Sequence, residues 1–217
     1  MSQFDMFSQQ ANDQDQENGF TSLDEVIEAL KRMKDDPLAN AGTNVVISRG
    51  NPNAKLLIIG EAPGPEENIR GKPFVGRAGQ MLDKILEAAD FDPEKHVYIT
   101  NSVFRMPPGE EGKAFRKPTD LEIDYYRPFV FEIIRLVDPR VILLTGNVAS
   151  QSVLRKTGIT SLRGKWTQMG RHWVMPIFHP SYLLRNPTRD PGSPKALMWE
   201  DIREVRKKYD ELAATNP

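Results

Sequence analysis

The chain has 217 residues, of which 39% are hydrophobic, enough for one domain with a substantial core. It contains no cysteine, which excludes disulfides, thiolate zinc sites and cysteine-ligated iron–sulfur clusters. No apolar run approaches the roughly 18 residues of a membrane span, and the N-terminus lacks the features of a signal peptide, so we expect a soluble cytoplasmic protein with no membrane partner.

Charge is distributed unevenly along the chain. The formal net charge is −1, but residues 1–36 carry nine acidic and three basic side chains, and the remainder carries 26 basic and 21 acidic ones. The body of the protein is therefore mildly basic, which is compatible with a polyanionic partner.

Residues 1–20 are predicted to form a disordered tail, because they are mostly polar and rich in Gln and Asp. The tail contains a short motif made of Gln3, Phe4, Asp5, Met6 and Phe7. Two aromatic residues and a methionine in a polar segment are typical of an anchor that docks in a partner's groove. The motif resembles the one that bacterial replication and repair proteins present to the sliding clamp, and we expect the clamp as a partner.

The domain that follows, residues 21–217, alternates predicted helices and strands. Helices with one apolar face are predicted at residues 22–34, 77–89, 120–137, 147–157 and 194–212. Short apolar runs typical of buried strands lie at residues 56–59, 97–100, 141–144 and 173–178, with a candidate edge strand at 45–47. The alternation predicts a three-layer α/β/α sandwich around a mainly parallel, four-stranded sheet.

The loop after the first buried strand combines tight turns with acidic side chains. Residues 60–64, GEAPG, are too rich in glycine and proline to continue a strand, and residues 71–76, GKPFVG, form a second glycine-flanked loop. The candidate functional side chains in these loops are Glu61, Glu67 and Phe74. Ligands of open α/β sheets bind beyond the carboxyl ends of the strands, so we expect a binding site here.

Two further strand ends carry polar residues that belong to this edge of the sheet. Asn101 follows the second buried strand, and His179 follows the last one in the sequence HPSYLLR. Together with residues 60–79 and the PPG at 107–109, these motifs resemble the uracil-DNA glycosylases, and most closely family 4. The resemblance extends over roughly residues 21–212.

The resemblance implies roles for these residues in flipping and cleaving a base. Phe74 would stack on the pyrimidine, and Asn101 would match the N3–H and O4 edge of uracil. The anion of the leaving base would be stabilised by His179 and by backbone N–H groups of the 60–64 turn. The turn residues expected to line the substrate are Gly60, Ala62 and Gly64. Either Glu61 or Glu67 would position the water, and the motifs do not decide between them.

The resemblance also implies a surface that contacts DNA. Leu183, Leu184 and Arg185 would form a wedge that enters the duplex where the base leaves. Lys72 and Arg77 would contact phosphates, giving binding that is largely independent of sequence.

Family 4 proteins ordinarily hold an iron–sulfur cluster on four cysteines. Their positions correspond here to Met33, Asp36, Arg105 and Tyr126, which cannot replace four thiolates. We therefore expect no metal or other cofactor, and we expect packing or ion pairing to tie these segments together instead.

The resulting hypothesis is a monomeric, monofunctional glycosylase that removes uracil from DNA and leaves an abasic site. Ala62 and Asn68, which stand where acidic residues are common in such proteins, leave open a catalytically silent DNA-binding protein. Gly64 leaves open a glycosylase for a modified pyrimidine, because no aromatic side chain closes that part of the pocket.

Overall fold

The computed structural model describes residues 19–109 and 114–215. Its helices are α1 (Leu23–Arg32), α2 (Pro65–Arg70), α3 (Arg77–Ala88), α4 (Asp120–Val137), α5 (Gly146–Leu154), α6 (Ile159–Leu162), α7 (Pro180–Arg185) and α8 (Pro194–Thr215), with a 3₁₀ turn at Ala39–Ala41. Its strands are β1 (Ser48–Gly50), β2 (Leu56–Gly60), β3 (Val97–Asn101), β4 (Val141–Thr145), β5 (Thr167–Met169) and β6 (His172–Ile177). The tail motif at residues 3–7 lies outside the described residues.

The centre of the sheet consists of four parallel strands in the order β3-β2-β4-β6, which confirms the predicted arrangement. Strands β2, β3 and β4 are buried at every position, as consecutive apolar residues require. The sheet has six strands because β1 and β5 pair antiparallel at its two edges. Both edge strands span only three residues, too few to show a period in the sequence. The predicted edge strand at 45–47 is displaced to 48–50.

Helices cover both faces of the sheet, and strand β2 shows how its residues divide between them. Leu57 and Ile59 pack in the hydrophobic cluster that includes residues of α1, α4 and α5. Leu56 and Ile58 point the other way, into the cluster with residues of α3, α7 and α8. This alternation is the period of two that a pleated strand imposes, and it produces the three layers.

Three short helices, α2, α6 and α7, were not predicted from the sequence. They have six, four and six residues, so each is too short for an amphipathic pattern. Helix α5 ends earlier than expected, at Leu154, because Arg155 adopts a left-handed conformation with φ 56°. No helix among the described residues is long and apolar enough to cross a membrane.

Helix α7 corrects one sequence-based prediction. Leu183, expected to contact DNA, is only 1% exposed and belongs to the hydrophobic cluster beneath α3 and α8. Leu184 is half-buried and Arg185 is exposed, so the two residues that follow Leu183 face away from the core. The prediction for Leu183 is wrong because the segment is helical, and a helix sends successive residues in different directions.

We expect Leu183→Ala to lower the free energy of unfolding by about 3 kcal/mol, the usual cost of a cavity left by a buried leucine. The half-buried neighbour provides the control, and Leu184→Ala should cost about 1 kcal/mol or less. Urea unfolding followed by tryptophan fluorescence measures both variants. Equal losses would show that Leu183 does not occupy the core in solution.

Candidate active site

The carboxyl ends of β2, β3 and β6 bring the candidate residues to one edge of the sheet. Gly60 ends β2, Asn101 ends β3, and His179 follows β6 by two residues. The two glycine-rich loops that start at Gly60 lie over this edge.

Phe74 occupies a strained turn above the sheet. Its backbone adopts φ 54°, a left-handed conformation that costs a non-glycine residue about 1 kcal/mol or more. The turn lies directly on Gly79 in the first turn of α3, where any added Cβ would overlap the Phe74 carbonyl. The ring is 6% exposed and covers Gly60, whose added Cβ would lie 2.5 Å from Phe74 Cε2. Both glycines are therefore required by close approach to Phe74.

Arg49 holds this turn from the side of β1, a role that the sequence did not indicate. Its Nε donates to the Pro73 carbonyl at 3.0 Å, and its Nη2 donates to the Phe74 carbonyl at 3.3 Å. Nη2 also pairs with Asp83 Oδ1 of α3 at 2.5 Å. The side chain is 9% exposed, so these bonds form largely out of water. Nothing in a three-residue edge strand distinguishes such an arginine from a solvated one.

The Glu67 carboxylate joins the two loops. Oε2 accepts from the Gly64 N–H at 3.1 Å, and Oε1 accepts from Val75 and Gly76 at 3.0 and 2.8 Å. Both oxygens are thus engaged by backbone donors. Glu67 fixes the entrance of α2 and the segment after Phe74, an arrangement typical of a structural carboxylate.

Unlike the Glu67 carboxylate, the Glu61 carboxylate is not engaged by backbone donors in the part of the chain that the structure describes. This carboxylate is partly buried and makes no hydrogen bond or ion pair with any described residue. Burial raises the pKa of Glu61, whereas the positive charge of Lys117 acts to lower it. Its backbone is well held, because the Glu61 carbonyl accepts from the Val103 N–H at 3.1 Å. Of the two glutamates that the sequence left undecided, Glu61 is the one whose carboxylate is available.

Asn101 places an unpaired amide beside the Phe74 ring. The residue is 1% exposed, yet its side chain forms no hydrogen bond within residues 19–109 or 114–215. Its neighbours are anchored: Thr100 Oγ1 donates to Ile47 O at 2.6 Å, and Ser102 Oγ donates to Gly60 O at 2.7 Å. An added Cβ on Gly60 would overlap Asn101 Oδ1, so the amide lies against the backbone of β2. Among the described residues the fully buried side-chain atoms without a partner are Thr43 Oγ1 and Ser152 Oγ, so the Asn101 amide keeps access to solvent and is free to bind a ligand.

His179 is a neutral imidazole with a defined tautomer. Its Nδ1 accepts from the Ser181 N–H at 3.2 Å, which caps α7, and Ser181 Oγ lies 2.8 Å away. The neutral ring therefore carries its proton on Nε2. Burial lowers the pKa of His179 to about 4, with a smaller effect of the nearby Arg185. The ring centroid lies 6.0 Å from that of Phe74.

The remaining predicted residues lie around this centre. Lys72, Arg77 and Arg185 are exposed, as a contact with DNA requires. The methyl group of Ala62 packs toward the hydrophobic cluster of the α4 side. Gly64 is partly exposed, and an added Cβ there would lie 2.8 Å from Glu67 Oε2.

The four positions implied for cluster-ligating cysteines come together on the α4 side of the molecule. Asp36 bonds to Arg105 and to Tyr126, and the Met33 sulfur lies 3.9 Å from the hydroxyl of the adjacent Tyr125. A carboxylate, a guanidinium, a phenol and a thioether do not fit an iron–sulfur cluster, which needs thiolates. In the part of the chain that the structure describes, no group of three or more metal-ligating side chains is arranged to hold an ion.

Comparison with known proteins agrees with this geometry. Residues 47–203 match the family model of the uracil DNA glycosylase superfamily. A type-4 uracil-DNA glycosylase of Thermotoga maritima is 36% identical over 186 residues, which cover 83% of this chain and 91% of that protein. A type-4 uracil-DNA glycosylase of Sulfurisphaera tokodaii is 30% identical over 203 residues, covering 89% of this chain and 86% of the relative.

The chain therefore belongs to the uracil-DNA glycosylase superfamily. Within the superfamily it is related to the type-4 enzymes, and it lacks the cysteines expected of them.

We expect acidification to destabilise the fold through His179. Its pKa is about 4 in the folded protein and ordinarily 6.5, so between these values the unfolded chain binds a proton that the folded chain excludes. This contribution to stability is complete above pH 6.5 and is lost as the pH falls toward 4, by roughly 3 kcal/mol. Urea unfolding of wild type and His179→Gln at pH 7 and pH 4.5 measures it. Parallel losses in the two proteins would show that the fold does not hold the imidazole neutral.

Proposed function

We propose that this protein hydrolyses the N-glycosidic bond of uracil in DNA and leaves an abasic site. The observation that carries the proposal is the Asn101 amide, which forms no hydrogen bond with a described residue and lies beside the Phe74 ring, whose centroid is 6.0 Å from that of His179. A flipped pyrimidine that stacks on Phe74 would offer its polar edge to this amide.

Asn101 would select uracil by its hydrogen-bonding pattern. Uracil presents a donor at N3–H and an acceptor at O4, which match the Oδ1 and Nδ2 of an amide. Cytosine presents the reverse pattern at the same edge. The discrimination requires an amide held in one orientation, and Asn101 Oδ1 lies against the backbone of Gly60. A mismatched base would leave buried polar groups unpaired, which is how such sites reject analogues.

His179 would stabilise the leaving base. As the C1′–N1 bond breaks, negative charge develops on the uracil ring, and a neutral imidazole with its proton on Nε2 donates a hydrogen bond to it. The lowered pKa of His179 suits this role, because the ring stays a neutral donor at pH 7. The Gly64 N–H is engaged by Glu67 and Pro63 has no N–H, so further donors from this turn would be the N–H groups of Glu61 or Ala62.

We assign the water to Glu61. The sugar becomes cation-like as the base leaves, and a carboxylate beside it both offsets the charge and orients the attacking water. Glu61 has a carboxylate free for this task, whereas both oxygens of Glu67 hold the loop together. Oxygen from water forms the new bond to C1′, its proton passes to Glu61, and the departing uracil anion is protonated from solvent. Lys117 favours the ionised form of Glu61 that this step requires.

A silent uracil-binding protein is the second candidate, because Ala62 packs an apolar methyl group against the hydrophobic cluster at a position where the resemblance to the superfamily implies an acid. Such a protein would keep Asn101 and Phe74 and bind the base without releasing it. The same assay separates the two candidates.

We expect wild type to release uracil from a labelled oligonucleotide, detected as strand cleavage after alkali with a chelator present. His179→Ala removes one donor to the anion and should lower kcat by about 10²- to 10³-fold. Glu61→Gln should lower kcat with little change in KM, whereas Asn101→Ala should also weaken binding of free uracil.

Glu67→Gln is the matched control for Glu61→Gln. Because Glu67 acts on the loop, its variant should lower the melting temperature, which Glu61→Gln should leave unchanged. Uracil-dependent binding without release by wild type would favour the silent binder. Full activity of the Glu61→Gln variant would exclude Glu61 as the residue that positions water.

We infer that Tyr182 is the side chain of α7 that enters the duplex. Tyr182 is 38% exposed and lies three residues after His179. Arg185, which is also exposed, follows Tyr182 by three residues, so Tyr182 and Arg185 face outward from the same side of the helix. Its ring lies 5.1 Å from Phe178 and is supported from below. An exposed aromatic ring can fill the space of a flipped base by stacking.

Tyr182→Ala should therefore lower kcat/KM about tenfold on duplex DNA containing uracil and leave single-stranded substrate nearly unaffected, because no stack has to be opened there. Tyr182→Phe keeps the ring and should retain activity on both substrates. An equal loss on single and double strands would rule out insertion.

A further inference from the structure

We propose that a buried ion-pair network of Asp36, Arg105 and Tyr126 replaces the iron–sulfur cluster implied by the type-4 relationship, and that it holds the strand end that carries Asn101. The functional part of this inference rests on the proposed function. The structural part stands on the contacts alone.

The Asp36 carboxylate is the centre of the network. Its Oδ2 accepts from Arg105 Nε at 2.7 Å, and its Oδ1 accepts from the Tyr126 hydroxyl at 2.5 Å and from the Leu38 N–H at 2.8 Å. The carboxylate side chain is 2% exposed and the Arg105 side chain 14%. Arg105 Nη1 also donates to the Thr43 carbonyl. Each charge is thus paired and hydrogen-bonded, the condition under which a buried pair is tolerated.

The network joins three segments that are distant in sequence. Asp36 lies between α1 and the 3₁₀ turn, 69 residues from Arg105 and 90 residues from Tyr126 of α4. Tyr126 also packs edge-on against Phe104, with ring centroids 5.4 Å apart. Burial and the Asp36 charge raise the pKa of the Tyr126 phenol, which therefore remains a donor. These are the segments that cluster ligands at positions 33, 36, 105 and 126 would have joined.

Arg105 connects the network to the candidate active site. It follows Asn101 by four residues, and the intervening amides of Ser102 and Val103 donate to the carbonyls of Gly60 and Glu61 at 2.9 and 3.1 Å. The Phe104 carbonyl accepts from Val46 at 2.8 Å. The same short segment therefore carries the base-reading amide, holds the Glu61 backbone and ends in the ion pair. Asp36 and Arg105 act as positioning residues for Asn101.

The first experiment compares melting temperatures. Asp36→Asn leaves Arg105 buried without its countercharge and should lower Tm by about 10 °C. The matched control is Asp124→Asn, which breaks the exposed pair between Asp124 of α4 and Arg155 at the end of α5 and should shift Tm by less than about 2 °C. Removing both charges with Asp36→Leu and Arg105→Met should recover about half of the loss. Equal shifts for Asp36→Asn and the control would overturn the network as a tie.

The second experiment measures amide hydrogen exchange at a temperature where circular dichroism shows Asp36→Asn to be folded. Exchange of the amides of Ser102 and Val103 should accelerate about tenfold more than exchange within β4, which reports the global loss of stability. Uniform acceleration, or none at these two amides, would overturn the positioning role. Neither measurement involves uracil, so an inactive wild type would contradict the proposed function and leave this test intact.

The inhibition constant of free uracil gives the functional readout. If the network positions Asn101, Asp36→Asn should weaken inhibition by uracil about tenfold, whereas Asp124→Asn should leave it unchanged. Unchanged inhibition with faster exchange would limit the network to a structural role and overturn its link to base recognition.

Discussion

The arrangement of the site depends on the close approach of the Phe74 turn to the sheet. Phe74 is strained in a left-handed conformation, and its carbonyl lies where a side chain on Gly79 would have to be. Three independent contacts offset that strain: the two bonds from Arg49, the Glu67 carboxylate on Val75 and Gly76, and the packing of the ring over Gly60. Because the turn is fixed from several sides, its ring is held over Gly60 beside the Asn101 amide. Strain retained at such a position is typical of preorganised binding sites.

Burial gives the polar groups of the site distinct electrostatic states. Desolvation holds His179 neutral and raises the pKa of Glu61, while the nearby Glu67 carboxylate accepts hydrogen bonds from backbone N–H groups. A neutral donor and an available carboxylate at one strand edge match the needs of a reaction that separates charge into an anionic base and a cationic sugar. The positive charge of Lys117 opposes the effect of burial on the pKa of Glu61. The site therefore depends on low solvent access as much as on residue identity.

The parts of the fold that sequence predicted are those with a strong local signal. The apolar runs of β2, β3 and β4 and the amphipathic α3 and α4 appear where expected, and parallel strands necessarily bring Gly60, Asn101 and His179 to one edge. Arg49 was missed because its partners are carbonyls and a carboxylate more than 20 residues away. The prediction for Leu183 was wrong because Leu183 lies in a six-residue helix that turns its side chain toward the core. So short a helix shows no amphipathic pattern in the sequence. The choice between Glu61 and Glu67 required hydrogen-bond partners that no motif encodes.

The replacement of a cluster by an ion pair has a physical rationale. A metal cluster joins several segments with strong bonds but needs thiolates, and a buried carboxylate can join the same segments only if every oxygen finds a donor. Asp36 meets that condition with donors from three different parts of the chain. Such a pair adds less net stability than its attraction suggests, since both charges are desolvated, but it permits few alternative arrangements. In the proposed replacement, the constraint on the segment behind Asn101 is met by directional hydrogen bonds.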